Sequence, residues 1–435
     1  MMHRRTAKSL SRVRTAAALA VALLALAACS IVDPVNADRA RTSRGPIEVW
    51  YSNNEQEVAW AKQVVASWNR THPGQHVTGQ QVPTGKSSEA VIQAGIIAGT
   101  EPCLIYNTSP ASVPEFQAIG GLVPLDQFPG ARQYIESRSG AQAQQYRSPD
   151  GRYYQLPWKS NPVMIFYNKK IFAKAGLDPD HPDLASYSGF LATARKIVSS
   201  RAARYAIYPN ASNDFFQPWY DFYPMYAAQS GGTQLLKDDK ATFDDAAGRG
   251  VAEFWRALYS QRLAGDETYS GDPFADGVSA MATVGPWAIG SYKGKVDWGV
   301  VRVPTRSGTP SAHTFSDAKN VAMYASCKNR ATAWDFLKYS TSSQQDGTFL
   351  DVTGQIPLRP DVTTRYAAYF AKNPAYRSFA ALGPGVIEVP NVPNSVQIWQ
   401  RFRDGWSRSV IFGKVAVPRS LTDTAHDIDG LVVKK

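Results

Sequence analysis

Between residues 47 and 107 the chain switches repeatedly between two hydrophobic periods, and that alternation restricts the fold more than any other feature. IEVWYS (47–52) reads as a strand, after which Val58, Ala61, Val64, Val65 and Trp68 recur at helical spacing. QHVTGQQVP supplies a second strand, Ser87 to Ala98 a second helix, and CLIYN a third strand. Strands separated by helices predict an α/β fold with a mostly parallel sheet, because a helix is the usual crossover between parallel strands. Ligands in such folds gather outside the carboxyl ends of the strands. The loops carrying Asn53, Asn54 and Glu55, and then Asn107 and Thr108, should therefore be neighbours.

A chain of 435 residues exceeds one ordinary core, so two lobes are expected. Residues 1–28 read as an export signal: Arg4, Arg5, Lys8, Arg12 and Arg14 precede an apolar run at residues 16–28. That run is too short for a permanent span. It ends in Leu26-Ala27-Ala28-Cys29, which resembles a bacterial lipobox, so Cys29 is the expected lipidation site and residues 29–46 the anchor and tether. The protein is thus expected to be exported and lipid-anchored to the outer face of the cytoplasmic membrane.

Five of the eleven net positive charges lie in residues 1–28, which contain no acid, leaving +6 for the remainder. Those charges are scattered and form no basic cluster interleaved with aromatics, so no nucleic-acid partner is expected. Cys103 and Cys327 lie in or beside apolar strand-like runs. An exported location permits a disulfide; two buried thiols are the alternative.

Catalytic and metal motifs are weak. His72 and His76 have the i, i+4 spacing of zinc-binding helices, but Pro73 and Gly74 between them break the helix, so no metal site is expected. VPTGKS lacks the first glycine of a phosphate-binding loop, and no Gly-x-Ser-x-Gly elbow occurs. Glu55, Asp221 and Glu388 could pair as in a glycoside hydrolase, although any long chain supplies such acids.

More informative is a set of tryptophans on turns: Trp158 after Leu-Pro, Trp219 after Gln-Pro, Trp287 after Gly285-Pro286, and Trp399 shortly after PNVPN. Sugar rings pack their C–H faces on flat aromatic rings, and stacked aromatic pairs contribute about 0.5–1.5 kcal/mol beyond area burial. Core packing is the competing role for each tryptophan taken singly.

SAMATVGPWAIGSYKGKVDWGVVRVPT, FYNKKIFAKAGL and VPNVPNSVQIW together resemble blocks of the carbohydrate-binding proteins of ABC importers, the extracellular solute-binding family that includes maltose-binding protein. The resemblance runs from about residue 46 to 430. It implies a two-lobed, periplasmic-binding-protein-like α/β fold with a hinge and an interlobe ligand cleft. By that resemblance Trp287 and Trp399 stack on sugar rings, Trp219 replaces a ligand-contacting tyrosine, and Arg403 takes a ligand-contacting position. Asn107 stands where a stacking tryptophan is usual, and Asn161 falls near a hinge carboxylate. Tyr223, Gly285 and Asp317 complete the expected ligand-binding set, with Trp158 and the two loops above.

The resemblance further implies crossings between lobes near residues 157–162, 304–318 and 345–356. The expected division is an N-terminal lobe of 47–157 plus about 305–345 and a C-terminal lobe of 158–304 plus about 346–435. The expected partners are a sugar or oligosaccharide ligand, ABC importer permease subunits and, through the lipid anchor, the membrane; no cofactor is needed. Glu55 suits the ammonium of an amino sugar, with an exposed loop acid as the alternative. A binder of a polyol phosphate or a peptide is the main rival reading, and a secreted glycoside hydrolase the lesser one.

Overall fold

The computed structural model describes residues 35–432, apart from residues 86, 210, 211 and 213. The export signal and Cys29 lie outside the described residues. Residues 37–46, expected to be tether, are docked instead. Ala37–Thr42 forms a helix with Ala40 buried, Arg44 pairs with Asp335, and the Gly45 amide donates to Thr332 Oγ1 at 3.1 Å. The periodicity of six residues is too short to read from sequence, and docking on a neighbouring element is what holds so short a helix.

The strands are β1 (Ile47–Tyr51), β2 (Val77–Gln81), β3 (Leu104–Thr108), β4 (Gln155–Ser160), β5 (Met164–Asn168), β6 (Tyr205–Ile207), β7 (Leu236–Lys237), β8 (Lys240–Ala241), β9 (Ser279–Val284), β10 (Trp298–Val301), β11 (Thr314–Phe315), β12 (Lys319–Met323), β13 (Ile356–Pro357) and β14 (Val386–Ile387). They build a six-stranded sheet in the order β13-β4-β12-β3-β1-β2 and a four-stranded sheet in the order β10-β5-β9-β6. The molecule is a two-lobed α/β protein, one lobe around each sheet.

Strand direction follows the chain's route. β1 runs parallel to β2 and β3, as expected. β12 inserts between β3 and β4 antiparallel to both, and β13 is antiparallel to β4. Strands laid down on the way out point one way, and those laid down on returning from the second lobe point the other. The second sheet is mainly antiparallel, with only β6 and β9 parallel, so the expectation of a mostly parallel sheet holds for β1–β3 alone.

Side-chain alternation gives each sheet two buried faces. Val49, Leu104, Leu156 and Val321 share one core, while Trp50, Ile105 and Ala322 face another. In the second sheet Ile165 and Tyr167 enter the largest core and Met164 and Phe166 the opposite one.

The chain passes between the sheets at residues 161–163, 302–318 and just after β13. The expected boundary at 157/158 runs inside β4, and that at 345/346 inside helix Ser343–Thr353, which packs on helix Glu55–Thr71. Two crossings are tied side by side: Pro162 bridges Ser316, and the Val163 amide donates to the Phe315 carbonyl at 2.9 Å. Cys103 and Cys327 form a disulfide.

Candidate functional site

β1 and β3 end next to each other, and their loops converge on a residue that sequence reasoning passed over. Asn54 caps helix Glu55–Thr71 by accepting from the Glu57 amide, which turns the Glu57 side chain inward. There the carboxylate pairs with Lys159 Nζ of β4 and accepts from Gln355 Nε2 at 2.6 Å, Asn107 Nδ2 at 2.6 Å and Ser52 Oγ at 2.8 Å. Burial alone would raise the Glu57 carboxyl, but the Lys159 ammonium and these donors outweigh it and hold its pKa below the usual value. Asn107 reaches this position with a left-handed backbone, φ 67°, which asparagine tolerates better than most residues.

The network continues through the crossings. Asn161 Nδ2 donates to the Asp317 carbonyl at 3.2 Å and lies 3.4 Å from Gln355 Oε1. Asp317 pairs with Lys319 Nζ at 2.6 Å and accepts from the Tyr220 hydroxyl at 2.9 Å. Burial and the adjacent Asp317 carboxylate push the Tyr220 phenol well above its ordinary pKa. Burial would lower the Lys319 ammonium, yet Asp317 raises it.

Aromatic walls stand on the second-lobe side. Lys319 Nζ sits 5.8 Å from the Trp219 ring centre, Trp219 meets Trp399 edge-on at 5.8 Å, and Tyr220 meets Trp287 edge-on at 6.3 Å. β9 runs directly into Gly285-Pro286-Trp287, and helix Ala288–Tyr292 follows. The indole folds back over Gly285 so closely that a Cβ there would lie 2.0 Å from the ring, so any larger residue would have to displace it. Trp287 is half-buried. Several deeper polar atoms lack a protein partner among the described residues: Nε1 of Trp219, Nε1 of Trp399 and Oδ1 of Asn161. Nε1 of Trp60 and Trp158, in the first-lobe core, likewise lack a partner among the described residues.

A cavity of about 910 Å³ opens beside this region. Gln56 borders it on one side and Ile289 and Gly290, just past Trp287, on the other, with Tyr366, Tyr369 and Tyr376 further along.

Asn107, Asn161, Asp317, Trp219, Gly285 and Trp287 lie along this network. Trp399 touches Trp219 but is fully buried in the second-lobe core against Tyr223 and Phe402. Others are placed elsewhere. Trp158 is fully buried in the first-lobe core against Trp60, Tyr106 and Phe349, because its position in β4 points it into the sheet's packed face. Thr108 is buried and donates to the Ile105 carbonyl. Tyr223 is buried and its hydroxyl donates to the Glu388 carbonyl at 2.8 Å. Arg403 is turned to the Ser212 carbonyl and to Asp404. Asn53 and Glu55 are exposed, and Asn54 serves as the helix cap. Sequence reasoning missed Glu57, Lys159, Gln355, Tyr220 and Lys319. Only Asn54 and Glu57 left a signal, the three-residue interval of a capping box.

Two lobes joined by three crossings, with a polar and aromatic network running from one lobe through the crossings to the other, define a protein that holds a ligand between its lobes. The chain belongs to the family of bacterial extracellular solute-binding proteins, whose profile matches residues 63–378. It is a binding protein and not an enzyme, which sets aside the hydrolase reading. It is similar to the maltodextrin-binding protein MdxE of Bacillus subtilis, 22% identical over 72% of this chain and 74% of that one. It is similar at 24% identity to the sn-glycerol-3-phosphate-binding periplasmic protein UgpB of Escherichia coli, over 83% of this chain and 82% of that one. Its fold matches the GacH receptor of Streptomyces glaucescens, solved unliganded and with acarbose, at a TM-score of 0.74 and 23% identity, covering 89% of this chain and 98% of that chain. Among the described residues no helix is long and apolar enough to cross a membrane.

Proposed function

We propose that this protein captures a carbohydrate between its lobes and delivers it to an ABC importer, anchored outside the cytoplasmic membrane by a lipid on Cys29. The observation that carries the reading is half-buried Trp287, which meets Tyr220, whose hydroxyl in turn donates to Asp317 in the crossing. Flat aromatic faces suit sugar C–H surfaces, and the neighbouring carboxylate, ammonium, amide and phenol groups suit sugar hydroxyls. The similarity to a maltodextrin-binding protein supports the same class of ligand.

The ligand-contacting residues in this reading are Asn107, Asn161, Trp219, Tyr220, Trp287, Asp317 and Lys319. The first lobe comprises residues 47–160 and about 319–357, and the second comprises 164–301 and 362–432. A ligand touching both lobes favours the closed arrangement, so sugar should reduce the radius of gyration in solution scattering.

A polyol phosphate is the second reading, favoured by the similarity to UgpB and by Lys159 and Lys319 in the network. A thermal-shift screen of the chain lacking residues 1–29 separates the two. A ligand at one hundred times its dissociation constant adds about 2.7 kcal/mol. Stabilisation by neutral or amino sugars supports the carbohydrate reading; stabilisation by glycerol phosphate alone replaces it. Lipidation is tested by mass: the wild-type chain gains a diacylglyceryl group, and Cys29→Ser does not.

A further inference from the structure

A second cavity, of about 550 Å³, lies against the crossings and shares no lining residue with the network described above. Its walls come from both lobes and from the segments that join them: Gln142, Pro162, Pro360, Arg377, Phe379 and Pro384. The Gln142 side chain donates to the Pro384 carbonyl at 2.7 Å and ties the two walls together. The volume is that of a small-molecule site.

The lining is apolar and carries charge of one sign. No Asp or Glu borders the cavity, whereas Arg359 and Arg377 do. Arg359 shares Asp346 with Arg138, so one buried and one partly buried guanidinium group face a single carboxylate and a positive charge is left over. Arg377 is exposed and has no ion pair or side-chain hydrogen bond among the described residues. Ser139 Oγ, on the wall, is buried without a partner. A neutral apolar molecule would satisfy the walls and leave this potential unused; an inorganic anion would leave the apolar walls wet.

We propose that this cavity is a second ligand site, which binds a small organic carboxylate with an apolar body against Pro360 and Phe379 and its charge toward Arg377. The cavity adjoins the network around Asp317, since Ser160 and Pro162 both contact Ser316, but shares no lining residue with it, so the proposal does not rest on the sugar reading.

The test titrates 2-naphthoate into the full-length protein by calorimetry, with 2-naphthalenemethanol as the neutral counterpart. Saturable one-to-one binding is expected, at least about tenfold tighter for the acid than for the alcohol. Arg377→Gln should abolish that preference, and Ala381→Trp, at an exposed position on the wall, should abolish binding of both. Unchanged melting temperatures identify folded variants, and the Arg377 variant decides the matter if the tryptophan disturbs the fold. Equal affinity for acid and alcohol, indifference to Arg377→Gln, or no saturable binding would overturn the proposal. Loss of naphthoate binding in Trp287→Ala would also overturn it, by assigning the ligand to the other cleft; failure of the sugar screen would leave it untouched.

Discussion

Trp287 is the residue on which the carbohydrate reading turns. Its indole is clamped over Gly285 and followed by a short helix; on the carbohydrate reading we propose, one wall of the cleft is therefore ordered before ligand arrives, which lowers the cost of binding. Trp287→Ala should weaken sugar binding at least about tenfold, roughly 1.4 kcal/mol, with the fold intact; titration calorimetry and a melting curve check both parts. Gly285→Ala should lower affinity similarly by displacing the ring it would strike. The buried Glu57–Lys159 pair makes a different prediction, about stability. Lys159→Met leaves a carboxylate buried without its cation and should cost about 3–5 kcal/mol in urea unfolding. The double variant Glu57→Gln/Lys159→Met should recover most of that loss. Because the folded-state pKa of Glu57 is depressed, its contribution is present above the unfolded value of about 4.3 and disappears as pH falls through the folded value.

At the scale of elements, helices and strands with long apolar periods were legible and their partners were not. β1, helix Glu55–Thr71 and β3 stand where the hydrophobic periods put them, and Asn54 and Ser87 cap the helices that follow them. Helix Ala37–Thr42 was invisible because tertiary docking, not local propensity, sustains it. The 3-10 turn Gln217–Trp219 and helix Phe222–Gln229 flank Asp221, a fully buried carboxylate that accepts from Gln217, the Phe222 amide and Trp406 Nε1. Burial raises its pKa to about 7 despite those donors. The folded chain therefore holds a proton that the unfolded chain releases near pH 4, so this group makes stability fall as pH rises from about 4 to about 7 and adds no further change above that. Asp221→Asn should flatten that part of the profile, and urea midpoints between about pH 4.5 and about pH 7.5, compared with wild type, measure it.

At the scale of the whole molecule, the disulfide Cys103–Cys327 joins the start of β3 to the segment after β12, closing a loop of 224 residues. Both cysteines are in the first-lobe core, so the bridge pins the returning strand to the outgoing ones. Cys103→Ser/Cys327→Ser should lower unfolding stability by about 2–5 kcal/mol, as read from chemical denaturation. Alkylation without reductant should leave Cys103 and Cys327 unmodified in the wild-type chain.

What the sequence determined on its own was local: period, capping and the Gly-Pro-Trp turn are written in neighbouring residues and need no partner to be read. It put Trp287 on a turn and Asn107 at a strand end, where a side chain is presented. Trp158 shows the limit, since a tryptophan after Leu-Pro looks presented until β4 is set in its sheet and the ring points into the core. The tertiary structure alone decided that Glu57 meets Lys159, that Asp317 meets Tyr220, and that two crossings run side by side. Those pairs are separated by about a hundred residues or more, and only the return of the chain from one lobe to the other brings them within hydrogen-bonding reach.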